Sequence, residues 1–378
     1  MKRWKMQLLF ARAVRASLGV AGVLAITTSI QAERQYVKGK QGKRPRPIVA
    51  VDNVCAFPNL KTLPDGTVIA VGFNCPAHGG YEADVDCWAS EDGGHTWHKR
   101  GTPGPHEPGS CRVNHAVGLA NNGDLVVLCG GTTNVFQPPR PNQFLRVWIS
   151  RSPDGGRTWS IDRSSAPLKA PDGDFWFPFG DIYPGKDGAL RVGVYSACAV
   201  NRPIDRAYVL RSSDDGRIWD DFVLIENDPK RDAEPTLLHL RGGNWLAAVR
   251  RTGLGGEIHL YDSADDARSW NPRGPMTAKV NSPANLLRLH DGRVLITYGN
   301  HADGNGVDVR ISDDHGNSWS DPYRVCDVGG DSSYPSSVAL PDGQVLTAYY
   351  ARRIEGHDRY HLGVVRWNLE SLGASAQP

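Results

Sequence analysis

This 378-residue chain has no two cysteines at CxxC spacing, no linker between segments of different composition and no helical stretch of note. Its seven cysteines (Cys55, Cys75, Cys87, Cys111, Cys129, Cys198 and Cys326) are odd in number and scattered, which argues against a zinc or redox site. Two alternatives remain for them: one or two disulfides, with Cys75–Cys87 inside one repeat the simplest pair, or buried free thiols. Histidines His78, His301 and His357 fall in different loops, so no metal and no cofactor is expected. The chain also lacks an apolar run long enough to cross a membrane, which takes roughly 20 residues. Its longest candidate, Ala16–Ile30, follows Lys2, Arg3, Lys5, Arg12 and Arg15 and ends near Ser29-Ile-Gln-Ala32. That order reads as a secretory signal peptide over residues 1–32, so the mature protein is expected to be secreted or periplasmic, without stable membrane insertion. Removing the five basic residues takes the formal charge from +2 to about −3. A surface so close to neutral gives no reason to expect nucleic acid as a partner, and what remains is long enough for a sizeable core.

What is present is repetition. Five segments follow the consensus S-x-D-x-G-x-[T/S]-W, with Ile218 and Ala267 as its two departures and aspartates at Asp92, Asp154, Asp214, Asp265 and Asp314, spaced 62, 60, 51 and 49 residues apart. A regular period of that size marks a repeat architecture. The motif has a mechanical sense. Aspartate can accept hydrogen bonds from backbone N–H groups just downstream, glycine supplies a positive φ, and tryptophan covers apolar surface between neighbouring sheets. These Asp-boxes are therefore read as structural.

A tight turn recurs upstream of each box: Asp65-Gly66, Asn122-Gly123, Asp187-Gly188, Gly242-Gly243, Asp291-Gly292 and Asp342-Gly343. Asn-Gly and Asp-Gly between apolar runs are strong hairpin signals. There are six such turns and five boxes, because the last repeat ends in His361–Trp367 without one. The expectation is an all-β chain, a six-bladed β-propeller over residues 48–372, with an N-terminal extension over 33–47 and a short tail over 373–378. In an antiparallel meander the Asp-Gly turns and Asp-boxes share one face. The opposite, top face then carries the irregular loops, where function concentrates. The N-terminal segment is expected to pair with the last blade.

Counting nine residues back from the second residue of each turn gives one inner-strand position per blade: Phe57, Asn114, Phe179, Glu234, Pro283 and Tyr334. A glutamate and a tyrosine thus lie two blades apart around one axis. Arg250, sixteen residues after Glu234, falls at the top of the adjacent strand, where its planar fork could orient Glu234 or hold an anionic ligand.

Through these residues the chain resembles the sialidases (neuraminidases), over about residues 50–370. Asp-boxes in a six-bladed propeller, a glutamate followed sixteen residues later by an arginine, and a tyrosine nine residues before the end of an Asp-Gly turn are features of that family. The resemblance implies an exo-acting, retaining glycoside hydrolase acting on a terminal, acidic sugar of a glycan. Sialic acid carries a carboxylate beside its anomeric carbon, so a neutral tyrosine suits the attack better than an enzyme carboxylate. Tyr334 would be the nucleophile, Glu234 its base, and Arg250 the clamp on the substrate carboxylate.

The chain departs from the family pattern in two of three carboxylate-binding arginines. Ala56 of Cys55-Ala56-Phe57-Pro58 stands where the first is expected, and Gly299-Asn300-His301 where the third is. Arg112, or Arg352 and Arg353, could substitute in part, and His301 and Asn114 are further candidate substrate contacts. The acid/base residue belongs in the loop of residues 76–84, where His78, Glu82 and Asp84 all qualify; His115 is a further histidine near the axis. Two rival readings stand beside the hydrolase: a propeller glycosidase or polysaccharide lyase acting on another sugar, and a non-catalytic propeller that binds a glycan or protein.

Overall fold

Each Asp-Gly or Asn-Gly turn closes by the same local chemistry. The turn side chain accepts a hydrogen bond from the backbone N–H two residues on: Thr67 to Asp65 (2.9 Å), Asp124 to Asn122 (3.1 Å), Ala189 to Asp187, Arg293 to Asp291 and Gln344 to Asp342 (3.0 Å each). The intervening glycines take positive φ, from 77° to 94°. Such turns join neighbouring antiparallel strands directly. The computed structural model describes residues 45–133, 144–197, 206–225, 232–252, 255–278, 281–302, 304–353 and 359–373. The expected signal peptide, residues 33–44 of the extension, Cys198, His357 and the last five residues of the tail lie outside the described residues.

The described chain is all-β, with no α-helix. Its strands form six four-stranded antiparallel meanders. Five occupy residues 59–104, 110–162, 175–224, 232–275 and 281–327. The sixth consists of Gly329–Ala339, Val345–Arg353 and His361–Trp367, and its fourth strand comes from the other end of the chain: Ile48–Asp52 pairs antiparallel with His361–Trp367, Asp52 opposite His361. The innermost strands are Asn59–Thr62, Ser110–Leu119, Phe175–Pro184, Asp232–Arg241, Asn281–Arg288 and Gly329–Ala339. They touch one another in that order, and the last touches the first. Leu60 N–H donates across this junction to Ser336 Oγ (2.8 Å). Meanders two and three are joined into one eight-stranded sheet, because Gly180–Ile182 runs parallel to and pairs with Ala116–Gly118. Gly118 permits this, since a Cβ there would lie 2.3 Å from the Ile182 carbonyl oxygen.

The five box turns share the bonds of their serine hydroxyl and aspartate, and in the first three the tryptophan Nε1 bonds back into the turn as well, whereas Trp270 and Trp319 Nε1 have no partner among the described residues. In the second, Ser152 Oγ donates to Asp154 Oδ1 (2.8 Å) and accepts from Gly156 N–H (2.7 Å). Asp154 also accepts from the N–H groups of Arg157 and Thr158 and from the Thr158 hydroxyl, and Trp159 Nε1 donates back to the Gly156 carbonyl. These bonds, that from the Thr158 N–H first, hold the Asp154 carboxyl at about 2. Ser269 and Ser318 hold Asp265 and Asp314 at about 2 in the same way, against a partial burial that opposes the charge. The third box has Ile218 in the hydroxyl position, and its aspartate lacks that last bond. Each box also fastens its meander to the preceding one: a Cβ at Gly101, in the first meander, would lie 2.4 Å from the Gly156 carbonyl and 2.6 Å from Trp159 Nε1. Boxes and Asp-Gly turns share one face, as Asn121 beside the second turn bonds Asp215 of the third box (2.7 Å).

The apolar core lies between successive meanders, and the axis is polar. Lys61 reaches from the first inner strand to Asp181 on the third (2.6 Å), with the two side chains 14% and 3% exposed. Asn285 on the fifth donates to Asp181 (3.0 Å) and accepts from Ser337 N–H on the sixth (2.9 Å). Of the two alternatives for the cysteines, the free thiols hold, and Cys75 and Cys87 are not joined. All six described cysteines are buried free thiols, and burial pushes Cys87, Cys129 and Cys326 up to about 12. They serve as small apolar packing groups.

Two outcomes follow for stability. Asp154→Ala should cost about 1–3 kcal/mol by chemical denaturation. Because the box aspartates are held below the ordinary carboxylate range when folded, their contribution is complete above pH ~4 and lost toward pH ~2, so calorimetric melting should drop most steeply in that window. Lys61→Met strands the buried Asp181 charge and should cost about 3–5 kcal/mol, part of which Asp181→Asn in the same chain should restore.

Candidate active site

At the end of the inner strands away from the boxes, the backbone departs from regular pairing in a repeated way. The register slips between Arg112 and His115, Phe179 and Ile182, Ala233 and Thr236, Asn281 and Ala284, and Ser333 and Ser336. Asn114, Phe179, Glu234, Pro283 and Tyr334 fall at these five bulges. A bulge inserts an unpaired residue and re-aims its side chain. Glu234 (φ 54°), Tyr334 (φ 50°) and Phe57 (φ 44°) are left-handed, a conformation that costs a non-glycine residue about 1–2 kcal/mol. That cost turns these three side chains out of the sheet pattern.

The Tyr334 hydroxyl donates to Glu234 Oε1, and Arg250 Nη1 donates to Glu234 Oε2 (3.0 Å). The Glu234 side chain is 9% exposed and that of Arg250 27%. Burial, then the charge of Glu234, pushes the Tyr334 hydroxyl well above the ordinary phenol range, so it is held protonated. Burial works against the Arg250 charge, but Glu234 and Tyr334 outweigh it and raise its pKa. Arg250 Nε is buried without a hydrogen-bond partner among the described residues. Rings surround the tyrosine: Phe57 at 4.8 Å, Tyr350 at 5.7 Å and Phe179 at 6.1 Å between centroids. Asn114, on the second inner strand, donates to the hydroxyl of Tyr195 (2.9 Å), whose charge when ionised would act on Tyr334.

A second polar group adjoins this one. His78 Nδ1 lies 2.7 Å from Asp331 Oδ2, and its ring packs on Phe57 (4.9 Å) and edge-on to Tyr350 (5.8 Å). Asp331 also accepts from the hydroxyls of Tyr350 (3.1 Å) and Tyr360 (2.6 Å). The His78 hydrogen bond first, and those from Tyr360 and Tyr350 against partial burial, hold this carboxyl well below the usual range. Arg352 packs against the Tyr360 ring at 5.6 Å.

The other sequence candidates lie elsewhere. Asp84 Oδ1 meets His106 Nδ1 (2.7 Å) and N–H (2.8 Å), while Glu82 accepts from Gly109 N–H (2.5 Å) and lies 3.5 Å from His106 Nε2. The Asp84 hydrogen bond raises the pKa of His106. Arg112 is neither a substrate clamp nor an exposed arginine. It is 1% exposed, forks onto Glu107 (2.8 and 3.0 Å), donates to the Arg146 carbonyl and stacks 3.5 Å above Trp148. His301 Nδ1 faces Asn305 Oδ1 (3.2 Å), behind Asn300, which braces the buried Asp308. His115 is buried between the carbonyls of Val113 and Val71, and its burial lowers its pKa. Ala56, at the position of the first expected arginine, is fully buried. Among the described residues no cluster of His, Cys, Asp or Glu could hold a metal.

Asp331, Tyr350 and Tyr360 are absent from the sequence reading, although one signal for them was present. Tyr350 follows Tyr334 by sixteen residues, the same interval that separates Glu234 and Arg250. The pairing agrees, with Ser333 opposite Tyr350 and Ala233 opposite Arg250.

The model of the BNR repeat-like domain matches residues 66–346, most of the chain. Among solved structures, a protein of unknown function from Dyadobacter fermentans is similar at 21% identity and TM-score 0.73, over 87% of this chain and 99% of that one. A K499G mutant of the NanB sialidase from Streptococcus pneumoniae is similar at 12% identity and TM-score 0.65, over 87% and 71%. The intramolecular trans-sialidase from Ruminococcus gnavus, solved with oseltamivir carboxylate, is similar at 15% identity and TM-score 0.64, over 88% and 99%. At these identities the solved structures speak for the fold. With the repeated box turns and the match of the domain model over most of its length, the chain belongs to the BNR repeat-like family.

Proposed function

We propose that the six meanders are the blades of a β-propeller with five Asp-boxes, and that the protein is an exported, exo-acting, retaining glycoside hydrolase for a terminal glycan sugar. The observation that carries this reading is the hydrogen bond from the Tyr334 hydroxyl to Glu234, with Arg250 on the other carboxylate oxygen. A scaffold has no need to place a tyrosine, a glutamate and an arginine from two blades together, the first two at strained backbone positions, and such strain clusters at functional sites.

In the first step the Tyr334 oxygen bonds to the anomeric carbon while its proton passes to Glu234, and the bond from that carbon to the leaving oxygen breaks. A proton from an acid reaches the leaving oxygen. In the second step water attacks the anomeric carbon, the bond to Tyr334 breaks, and Glu234 returns the proton to the phenol oxygen. A phenol held protonated by burial is a poor nucleophile until its proton moves, so the contact with Glu234 is what makes the attack feasible. Arg250 orients Glu234 through the bond from Nη1, and its remaining donors suit a carboxylate on the sugar. Kinship with sialidases supports an acidic sugar. The absence of arginine at residues 56 and 299–301 is the reason to test other sugars beside sialic acid.

Purified protein lacking residues 1–32 should hydrolyse one class in a panel of sialosides, uronides and rhamnosides, with retained anomeric configuration by NMR. Hydrolysis with inversion, or eliminative cleavage giving an unsaturated product, would sink the reading. Tyr334→Phe keeps the ring packing and should melt near the parent temperature while kcat/KM falls by about 10³-fold or more, the scale of losing an activated nucleophile. Arg250→Lys keeps the charge but loses the fork, so it should raise KM for anionic sugars more than it lowers kcat.

A further inference from the structure

The acid that the first step requires is the group the sequence leaves open between His78, Glu82 and Asp84. We propose that His78 is the acid/base residue and that Asp331, fixed by the hydroxyls of Tyr350 and Tyr360, is its positioning residue; the inference rests on the glycosidase reading above.

The geometry separates the three candidates. Asp84 and Glu82 both face His106, and Asp84 takes two hydrogen bonds there from His106 alone. His78 instead packs on Phe57, the ring that also contacts Tyr334, and meets Tyr350, which flanks Tyr334 from the other side. An ionised carboxylate can only accept, so the His78 nitrogen 2.7 Å from Asp331 must carry the hydrogen. Tyr360 and Tyr350 each donate to Asp331 as well, one to the oxygen that His78 uses and one to the other. With three donors around it, Asp331 stays an acceptor and locks His78 in the Nδ1–H form. The second ring nitrogen, Nε2, then has no hydrogen-bond partner among the described residues, on a side chain 49% exposed. A carboxylate that sets one imidazole nitrogen so that the other can exchange protons is the arrangement used by hydrolytic triads.

The balance is simple. In the first step Nε2–H of the imidazolium gives its proton to the leaving oxygen as the anomeric C–O bond breaks, and His78 becomes neutral. In the second step Nε2 takes a proton from the attacking water, which restores the imidazolium. Asp331 keeps its charge throughout, and no other reactant is needed.

An acid matters in proportion to how poorly the leaving group departs unaided. The test compares methyl and 2,4-dinitrophenyl glycosides of N-acetylneuraminic acid, glucuronic acid and rhamnose, read as kcat/KM. His78→Ala should lower kcat/KM for the methyl glycoside by about 10²–10⁴-fold and for the dinitrophenyl glycoside far less, and Asp331→Asn should show the same split at about tenfold or more. Should Asp331→Asn fail to fold, Tyr360→Phe, which withdraws one hydroxyl from Asp331, should give the split in weaker form. Equal losses on both leaving groups for His78→Ala, or the split appearing in Asp84→Asn instead, overturn the assignment while leaving the tyrosine mechanism standing. If Tyr334→Phe turns over normally, the tyrosine mechanism falls and with it the double displacement in which His78 is given this role; if the parent protein is inert to every glycoside, the glycosidase reading itself falls.

Discussion

Six strands meeting around one axis bring polar backbone and side-chain groups into a space with little water, and the pairing of those groups is the constraint on which the structure depends. The ion pair of Lys61 with Asp181 is its centre. It ties the first meander to the third, Asn285 extends the link to the fifth, and Ser337 to the sixth. Toward the end that carries the candidate site, Tyr334 and Glu234 tie the sixth to the fourth. The meanders are therefore held by apolar packing between neighbours and by polar links across the axis. The candidate catalytic pair is one of those links, so positioning the site and closing the ring draw on the same contacts.

The site is a contrast between a protected tyrosine and an accessible histidine. Tyr334 is enclosed by Phe57, Phe179 and Tyr350, and its hydroxyl is held protonated by burial and by Glu234. His78 lies across Phe57, half-exposed and anchored at one nitrogen. In the proposed double displacement, a buried group that must lose a proton beside a carboxylate and an exposed group open to solvent would divide the proton transfers between them.

Much of this was legible because it repeats. The box turns, the Asp-Gly turns and the spacing of Glu234, Arg250 and Tyr334 follow a period, and the count of nine residues works because the bulge recurs in five of the inner strands. The pairing of Ile48–Asp52 with the last strand also follows, from a final meander that lacks one strand of its own. What repetition does not carry was missed. Nothing in the spacing says that Arg112 turns onto Glu107 and Trp148, that Asp84 turns to His106, or that Asp331 collects three donors. These depend on side-chain direction, which the repeat does not set, and for Asp331 on a histidine 253 residues away. For Cys75 and Cys87 the sequence left disulfide and free thiol open, since proximity within one repeat does not fix the side-chain geometry that a disulfide needs, and the thiols are free.

The strand that completes the sixth meander has a consequence for how the molecule forms. Asp52 pairs with His361, so the first described strand finds its place only after nearly all of the remaining chain exists. The intervening meanders are local and can assemble as they emerge, but until His361–Trp367 arrives the strand Ile48–Asp52 has no partner and its edges lie bare. A ribosome or a translocation channel thus delivers an open arc first, and its two ends must be kept from pairing with other chains until they meet each other.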